Sequence, residues 1–361
     1  MLQRSPQARR VEEVRHRVVR SRLDAFLVTS LPHIRYLSGF SGSHAVAVLT
    51  KDSLWLLTDG RYADQVRDEV LSAGILIAKG SLWGEISQYG LFRHERRIGV
   101  EAQHLSVASM GSLKKLFPKK RFVLTSGLIE GVATVKDDSE IERIKRAVAI
   151  TDKVFKKLLT ILKPGLAEKE IAAEISYWHR KYGADADAFE PIVASGLRGA
   201  FPHARASEKI VRKGELVTLD FGCRFEGYHS DLTRTVAVGA PSRKARGIYT
   251  AVLQAQELAI GAAHAGMSGR ALDALSRRSL RRGNLAKYFT HSLGHGLGLR
   301  VHEIPRLSRL SNDVLVAGNV VTIEPGVYLP GFGGVRIEDD LLIHKDHGEV
   351  LNRSPKELIV V

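Results

Sequence analysis

The chain has 361 residues, 44% of them hydrophobic, which is more than one typical domain and enough for two well-formed cores. Its one cysteine, Cys223, excludes an intrachain disulfide, and no run approaches the ~18 apolar residues of a membrane-spanning helix. The net charge of +15 raises a nucleic-acid reading, but the excess is spread, +8 over residues 1–135 and +7 beyond, with KKLFPKKR (114–121) as its densest cluster; this implies a basic surface and no specific nucleic-acid partner.

Residues 9–22 read as an amphipathic basic helix. The charged start MLQRSPQARRVEEVRHRVVRS offers no apolar signal segment, so a cytoplasmic protein without a membrane partner is expected. LDAFLVTS (23–30) reads as a buried strand. AVAVLT and LWLLTD (45–59) form a hairpin around Lys51-Asp52-Ser53, and RYADQVRDEVLSAG has helical spacing. RRIGVEA is a strand and VASMGSLKKLF a helix, so the first domain is mixed α/β. The boundary is expected near 131–139, dividing residues 1–135 from 136–361. Past it, Asp138 or Ser139 caps a long helix with Glu142 in its first turn, and Lys163-Pro164-Gly165 ends it. Further helices are expected at about 167–182, 242–265 and 268–283, with strand runs around 216–236 and from 320 onward.

The run LVTLDFGCRFEGYHSDLTRTV (216–236) carries two acids, Asp220 and Asp231, on strands joined at Glu226-Gly227. A two-residue turn there sets Gly222 opposite Asp231 and puts Asp220 on the same face, a diagonal neighbour roughly 7–8 Å away. A one-residue slip would separate them. Like charges so placed among apolar residues are tolerable around a divalent cation; two solvated acids on an exposed face is the other reading of this hairpin alone. The pattern recurs. KGELVTLDFG (213–222) aligns without gaps on AGNVVTIEPG (317–326), so Asp220 falls on Glu324, and GGVRIEDD supplies a further acid, Glu338, beyond a turn at 330–334. Two such hairpins suggest a duplicated half-domain with four carboxylates at one centre.

Between the hairpins, YFTHSLGHGLGLRVHEIPRLS (288–308) crowds His291, His295 and His302 among Gly294, Gly296 and Gly298. A lone histidine of this kind is more often structural. One imidazole with four carboxylates, however, is a ligand set for two divalent ions, and oxygen-rich ligation with one nitrogen suits Mn, Co, Zn or Fe(II) better than Cu. Paired metals of this kind do hydrolytic chemistry.

DFGCRFEGYHSDLTRT, HSLGHGLGLRVHE, TIEPGVY and GGVRIEDD together resemble the pita-bread metallopeptidases, which include aminopeptidase P, prolidase and methionine aminopeptidase. SGFSGSHAVAVLTKDSLWLLTDGRYADQ (38–65) is similar to the N-terminal domain of aminopeptidase P and prolidase, so the resemblance covers nearly the whole chain. It implies an α+β protein: a pita-bread, creatinase/aminopeptidase-like catalytic domain (136–361) behind a smaller α/β creatinase N-terminal-like domain (1–135). It makes Asp220, Asp231, His295, Glu324 and Glu338 the metal ligands, with Asp231 and Glu338 bridging two ions, Mn2+ first and Co2+, Zn2+ or Fe2+ as alternatives. Glu324 would also shuttle a proton from the bridging water to the leaving nitrogen. His203 (in FPHARAS) and His302 would hydrogen-bond the substrate or its oxyanion. His291 would line the site, and Arg336 would orient the Glu338 carboxylate from behind.

Two departures concern subsites rather than ligands: Leu197-Arg198 stands where the family often has Pro-Asn, and Arg300 where an acid commonly precedes Val-His-Glu. The implied function is cleavage of the Xaa-Pro bond at the N-terminus of a proline-containing peptide, as in aminopeptidase P. The alternative is a prolidase limited to Xaa-Pro dipeptides, and the remaining one is a metal-free pita-bread binding protein. Arg306 and Arg198 are candidate cations for a substrate carboxylate, and a homodimer is expected from the family.

Overall fold

A computed structural model describes residues 5–361, in which one compact unit ends at Ala133 and a second spans Thr134–Val361. The first unit contains α1 (Pro6–Arg20), β1 (Ala25–Val28), α2 (Leu31–Ser38), β2 (Ala45–Thr50), β3 (Leu54–Asp59), α3 (Ala63–Glu69), β4 (Gly74–Ala78), α4 (Leu82–Gln88), β5 (Arg97–Glu101), α5 (Val107–Leu116), β6 (Arg121–Thr125) and α6 (Glu130–Ala133). Its six strands lie in the order β4-β3-β2-β1-β5-β6. Neighbours are antiparallel across β1–β2 and β2–β3 and parallel elsewhere.

Ser5 caps α1 with Pro6 at its first position, where a missing N–H costs nothing. The helix expected at 61–74 is shorter. Asp59 accepts from the Arg61 amide and holds Gly60–Tyr62 as one tight 3₁₀ turn; α3 ends at Glu69 and β4 starts at Gly74. Strands β4 and β6 and helices α2 and α4 carried no clear periodic signal. α2 is only eight residues long and stops at Gly39, whose φ of 88° closes it.

The second unit contains α7 (Asp138–Ile161), α8 (Glu168–Lys181), β7 (Ala186–Asp187), β8 (Ile192–Ser195), β9 (Leu216–Phe221), β10 (Cys223–Phe225), β11 (Tyr228–His229), β12 (Leu232–Ala237), α9 (Arg243–Ala262) and α10 (Gly269–Arg281). Then follow β13 (Gly294–Gly296), β14 (Glu303–Leu307), β15 (Val320–Ile323), β16 (Gly326–Leu329), β17 (Gly333–Arg336), β18 (Asp339–Ile343) and β19 (Gly348–Val350). The cap of α7 is Asp137, ahead of both expected residues, Asp138 and Ser139. Asp137 accepts from the Glu140 amide, Glu140 reaches back to the Asp137 amide (both 3.1 Å), and Ser139 is spent donating to Asp137.

The duplication extends well beyond the hairpins. Each half is a helix pair, α7–α8 or α9–α10, followed by a strand hairpin. After the first helix, Gly165 and Gly266 take up φ of 99° and 93°. Their amides donate to Val211 and Leu315, and isolated bridges Ala167–Ile210 and Ser268–Val314 follow in the same places. Each helix pair buries its apolar stripe on its own hairpin. One core joins Val154, Phe155, Leu158, Ile171 and Ile175 to Val217, Leu219 and Leu232. The other joins Val252, Ala255, Ala259 and Leu272 to Val321, Ile323, Val335 and Leu341. Both hairpins are therefore backed by helices, and their other faces are left to meet. Among the described residues no helix is long and apolar enough to cross a membrane.

Candidate metal centre

The first hairpin has the register expected from the sequence. Arg224–His229, Phe225–Tyr228, Phe221–Leu232 and Asp220–Thr233 are partners, so Asp231 falls opposite Gly222. Glu226 and Gly227 both have positive φ, 46° and 82°, which is the type I′ turn. Gly222 is required by space: a Cβ there would lie 1.9 Å from the Ser230 carbonyl oxygen.

The second hairpin differs in one respect. Ile323 pairs with Asp339 and Gly326 with Arg336, so Glu324 faces Glu338 directly. Glu338 thus holds the register place of Thr233, not of Asp231. The two halves repeat strand for strand, while their second acids sit two residues apart. Thr233 and Glu338 meet where the hairpins face each other, with Thr233 Oγ1 donating to Glu338 Oε2 at 2.6 Å.

These faces bring the acids and His295 together. Ligand atoms of Asp231, His295 and Glu338 lie within 4.8 Å of one another. His295 Nε2 is 3.4 Å from Glu324 Oε1 and 3.8 Å from Asp231 Oδ2. Asp220 stands beside this group and contacts the Arg336 guanidinium. Arg336 also donates to Thr233 Oγ1 (3.0 Å), Tyr328 Oη (2.6 Å) and the Pro202 carbonyl (3.2 Å). Its hydrogen bonds therefore grip Asp220 directly and reach Glu338 through Thr233, while its charge also acts on Glu338. Behind the site, the Asp231 amide donates to Asp340 Oδ2 at 3.0 Å, and Asp340 Oδ1 has no partner among the described residues.

The backbone fixes the histidine. His295 sits in β13 between Gly294 and Gly296, and a Cβ on either would press on a neighbouring carbonyl, that of Thr322 or Ile304. Its Nδ1 faces the Gly296 carbonyl at 3.0 Å, which leaves Nε2 for the acids. His291 is held between Tyr328 Oη (Nε2, 2.8 Å) and the Ser292 carbonyl, with Glu324 3.9 Å away. His302 packs edge-on against His295 with ring centroids 4.4 Å apart. His203 and His302 are both exposed, and His203 lies close enough to His291 and His302 for its charge to act on them. Arg306 is exposed on β14 near His302, and among the described residues its guanidinium has no partner. Arg198 is already engaged by Glu168 at 2.9 Å and by the Arg205 carbonyl.

The electrostatics are those of an acid cluster that needs a cation. Burial and then the Glu338 charge push the Asp231 carboxyl well above the carboxylate range. Burial, then Asp220, pushes Glu338 up to about 8, and burial with Glu338 raises Glu324. Burial lowers both neighbouring imidazoles: His295, next to His302, to about 4, and His291, next to Arg336, to about 3. Neutral imidazole is the form that ligates. Four converging carboxylates and one neutral nitrogen fit a pair of divalent, oxygen-preferring ions.

Thr233, Tyr328 and Asp340 did not emerge from the sequence as site residues. The one available signal was spacing: Thr233 is two residues past Asp231 and so shares its face.

Residues 142–345 match metallopeptidase family M24, and residues 10–133 match the creatinase/prolidase N-terminal domain. An "Xaa-Pro dipeptidase" of Pyrococcus horikoshii is 36% identical over 338 residues, covering 93% of this chain and 95% of the relative. Among solved structures, an Xaa-Pro dipeptidase from Bacillus anthracis superposes with a TM-score of 0.95 at 39% identity over 98% of this chain and all of the other. An X-Pro aminopeptidase from Thermotoga maritima superposes with 0.91 at 35% identity over 96% of this chain and all of the other.

Proposed function

The chain belongs to metallopeptidase family M24, and from that premise we propose that it is an Xaa-Pro dipeptidase, a prolidase, working with two divalent ions. The observation that carries the hydrolytic part is the convergence of Asp231, His295 and Glu338 within 4.8 Å, with Glu324 3.4 Å from His295. On resemblance alone aminopeptidase P comes first. The relatives favour the dipeptidase alternative, because similar chains and structures bear that name.

Asp220, Asp231, His295, Glu324 and Glu338 would hold the ions, Mn2+ first among the candidates. When bound, such ions supply a Lewis acid for the scissile carbonyl and a water made nucleophilic at neutral pH. The chain's own groups do the rest. Glu324, raised by burial beside Glu338, is suited to hold a proton at its carboxyl and pass it to the proline nitrogen, which has no N–H of its own in the peptide. His203 and His302 at the rim donate to the substrate carbonyl as negative charge develops on it. His291 and Tyr328 form one wall. Arg336 holds and aims the Asp220 carboxylate.

Arg306 is compatible with the dipeptidase choice without deciding it, since similar arginines occur in both subfamilies. An exposed guanidinium with no partner among the described residues is suited to the free carboxylate of a C-terminal proline. Homodimer formation and a cytoplasmic site of action go with this reading. The test compares Xaa-Pro, Xaa-Pro-Yaa and Xaa-Ala by kcat/KM with Mn2+ present. The dipeptidase reading expects Xaa-Pro to lead both others by at least an order of magnitude. A tripeptide cut as well as the dipeptide returns the assignment to aminopeptidase P, and an equal rate on Xaa-Ala removes the proline specificity.

A further inference from the structure

The N-terminal unit carries a second cluster of ligand-type side chains, far in sequence from the acids above. His33 lies in the first turn of α2, Glu101 ends β5, and His104 follows three residues later. Because β1 and β5 are adjacent and parallel, the loops leaving their carboxyl ends lie side by side. That is the end of a parallel sheet where ligands collect. His33 Nδ1 is 2.5 Å from Glu101 Oε1. The His33 and His104 rings meet edge-on, with centroids 5.5 Å apart and planes at 82°. One ligand atom from each of the three residues lies within 4.8 Å of the other two. His33 and Glu101 are 2% and 5% exposed. A cavity of about 10 Å3, room for roughly one water, opens beside them, lined by Glu101, His104, Thr125, Ser126 and Glu130 among others.

We infer that His33, Glu101 and His104 bind one zinc ion, with the cavity side holding a water as its fourth ligand. A simple His–Glu hydrogen bond explains His33 beside Glu101. His104 brings a second imidazole to within 4.8 Å of the same buried carboxylate. Two imidazoles and one carboxylate are donors that zinc prefers. They are too rich in nitrogen for calcium or magnesium and lack the sulfur that favours copper(I). The carboxylate is also oriented for the purpose. Its Oε2 accepts from the Thr29 amide (2.5 Å), the Ser30 amide (2.8 Å) and Thr29 Oγ1 (3.0 Å), which leaves Oε1 toward the histidines. The ion would tie the turn after β5 to the β1–α2 turn, and so stabilise this unit when zinc is present. Nothing in this site depends on the peptidase reading.

The experiment is zinc stoichiometry of the full chain, stripped with a chelator, reloaded with zinc and dialysed, then read by mass-spectrometric metal analysis. The Asp231→Asn/Glu338→Gln chain removes the other centre's claim on the ion. It is expected to retain one zinc per chain, and adding His104→Ala is expected to remove it. His104→Cys in the same background should keep it, since a thiolate also ligates zinc. Circular dichroism establishes that each variant is folded; should His104→Ala fail to fold, His104→Asn takes its place with the same expectation. An Asp231→Asn/Glu338→Gln chain that holds no zinc overturns the inference. So does a retained zinc that is indifferent to the His104 substitutions.

Discussion

Replacing Arg234 tests how the two hairpins are locked together. Arg234 lies on β12, and its side chain is 1% exposed. All its donors are used. Nε reaches the Pro355 carbonyl (3.0 Å), Nη1 the carbonyls of Thr233 (3.0 Å) and Glu338 (2.5 Å), and Nη2 the Asp339 carboxylate (2.6 Å) and the Ser354 carbonyl (2.8 Å). One guanidinium thus joins the first hairpin, the second hairpin and the C-terminal segment. Burial would raise the Asp339 carboxyl; the charges of Arg234 and then Lys356 hold it below its usual range instead. Arg234→Ala leaves a buried charge pair broken, which costs about 3–5 kcal/mol. Asp339 keeps Lys356 (2.7 Å) and Gln256 (2.8 Å), so its share falls at the low end. The Thr233 carbonyl keeps the Glu338 amide at 3.1 Å, but the orphaned Glu338 and Ser354 carbonyls each add roughly 1 kcal/mol. The total is about 5 kcal/mol, or roughly 10–20 °C in Tm for a unit of this size. Arg234→Lys keeps the charge and most of the volume but meets fewer acceptors, so it should lose about half as much. The assay is thermal unfolding of metal-free protein by circular dichroism. An Arg234→Ala protein melting within about 3 °C of the parent refutes the locking role.

Asp231→Asn or Glu338→Gln should abolish turnover and lower bound metal, checked by metal analysis beside kinetics. His203→Ala and His302→Ala should keep their metal and lose roughly 10²-fold in turnover, as when an oxyanion donor is removed; parallel loss of metal would make them ligands instead. Gly222→Ala should cost about 1–3 kcal/mol by urea titration, because its Cβ overlaps the Ser230 carbonyl. For chelated protein, Glu338 is raised to about 8 from an unfolded value near 4.5, so its contribution is fully present below pH 4.5 and is lost as pH rises through 8. Metal-free protein should therefore melt lower at pH 8 than at pH 6, and saturating Mn2+ should reverse the order; a metal-free Tm that rises over this interval contradicts the assignment.

The sequence made the catalytic half legible because its signals were local and periodic. Asp220 and Asp231 share a face on strand period alone, and Glu226-Gly227 fixes the register. The gapless match of KGELVTLDFG to AGNVVTIEPG exposed the repeat. Other features needed the third dimension. Arg234 sits in an ordinary strand run, and only the fold shows it buried among carbonyls contributed from residues 338, 354 and 355. The register difference between the hairpins was hidden because alignment of their first strands says nothing about which residue faces which across the turn. The N-terminal His33 and Glu101 are 68 residues apart and meet only because β5 inserts beside β1. Residue type does not settle the cap of α7, because Asp137, Asp138 and Ser139 are all good caps, and the reciprocal bond from Glu140 decides among them.

If Asp220, Asp231, His295, Glu324 and Glu338 hold a metal pair that hydrolyses Xaa-Pro, bound metal and turnover must rise together. The most direct measurement is a titration of chelator-stripped protein with Mn2+, following cleavage of an Xaa-Pro dipeptide together with bound metal. The stripped protein should show no turnover, and activity should rise to a plateau at two Mn2+ per chain, a rise that the Asp231→Asn protein does not show. Full turnover without metal, or a plateau in activity that Asp231→Asn shares, would contradict it.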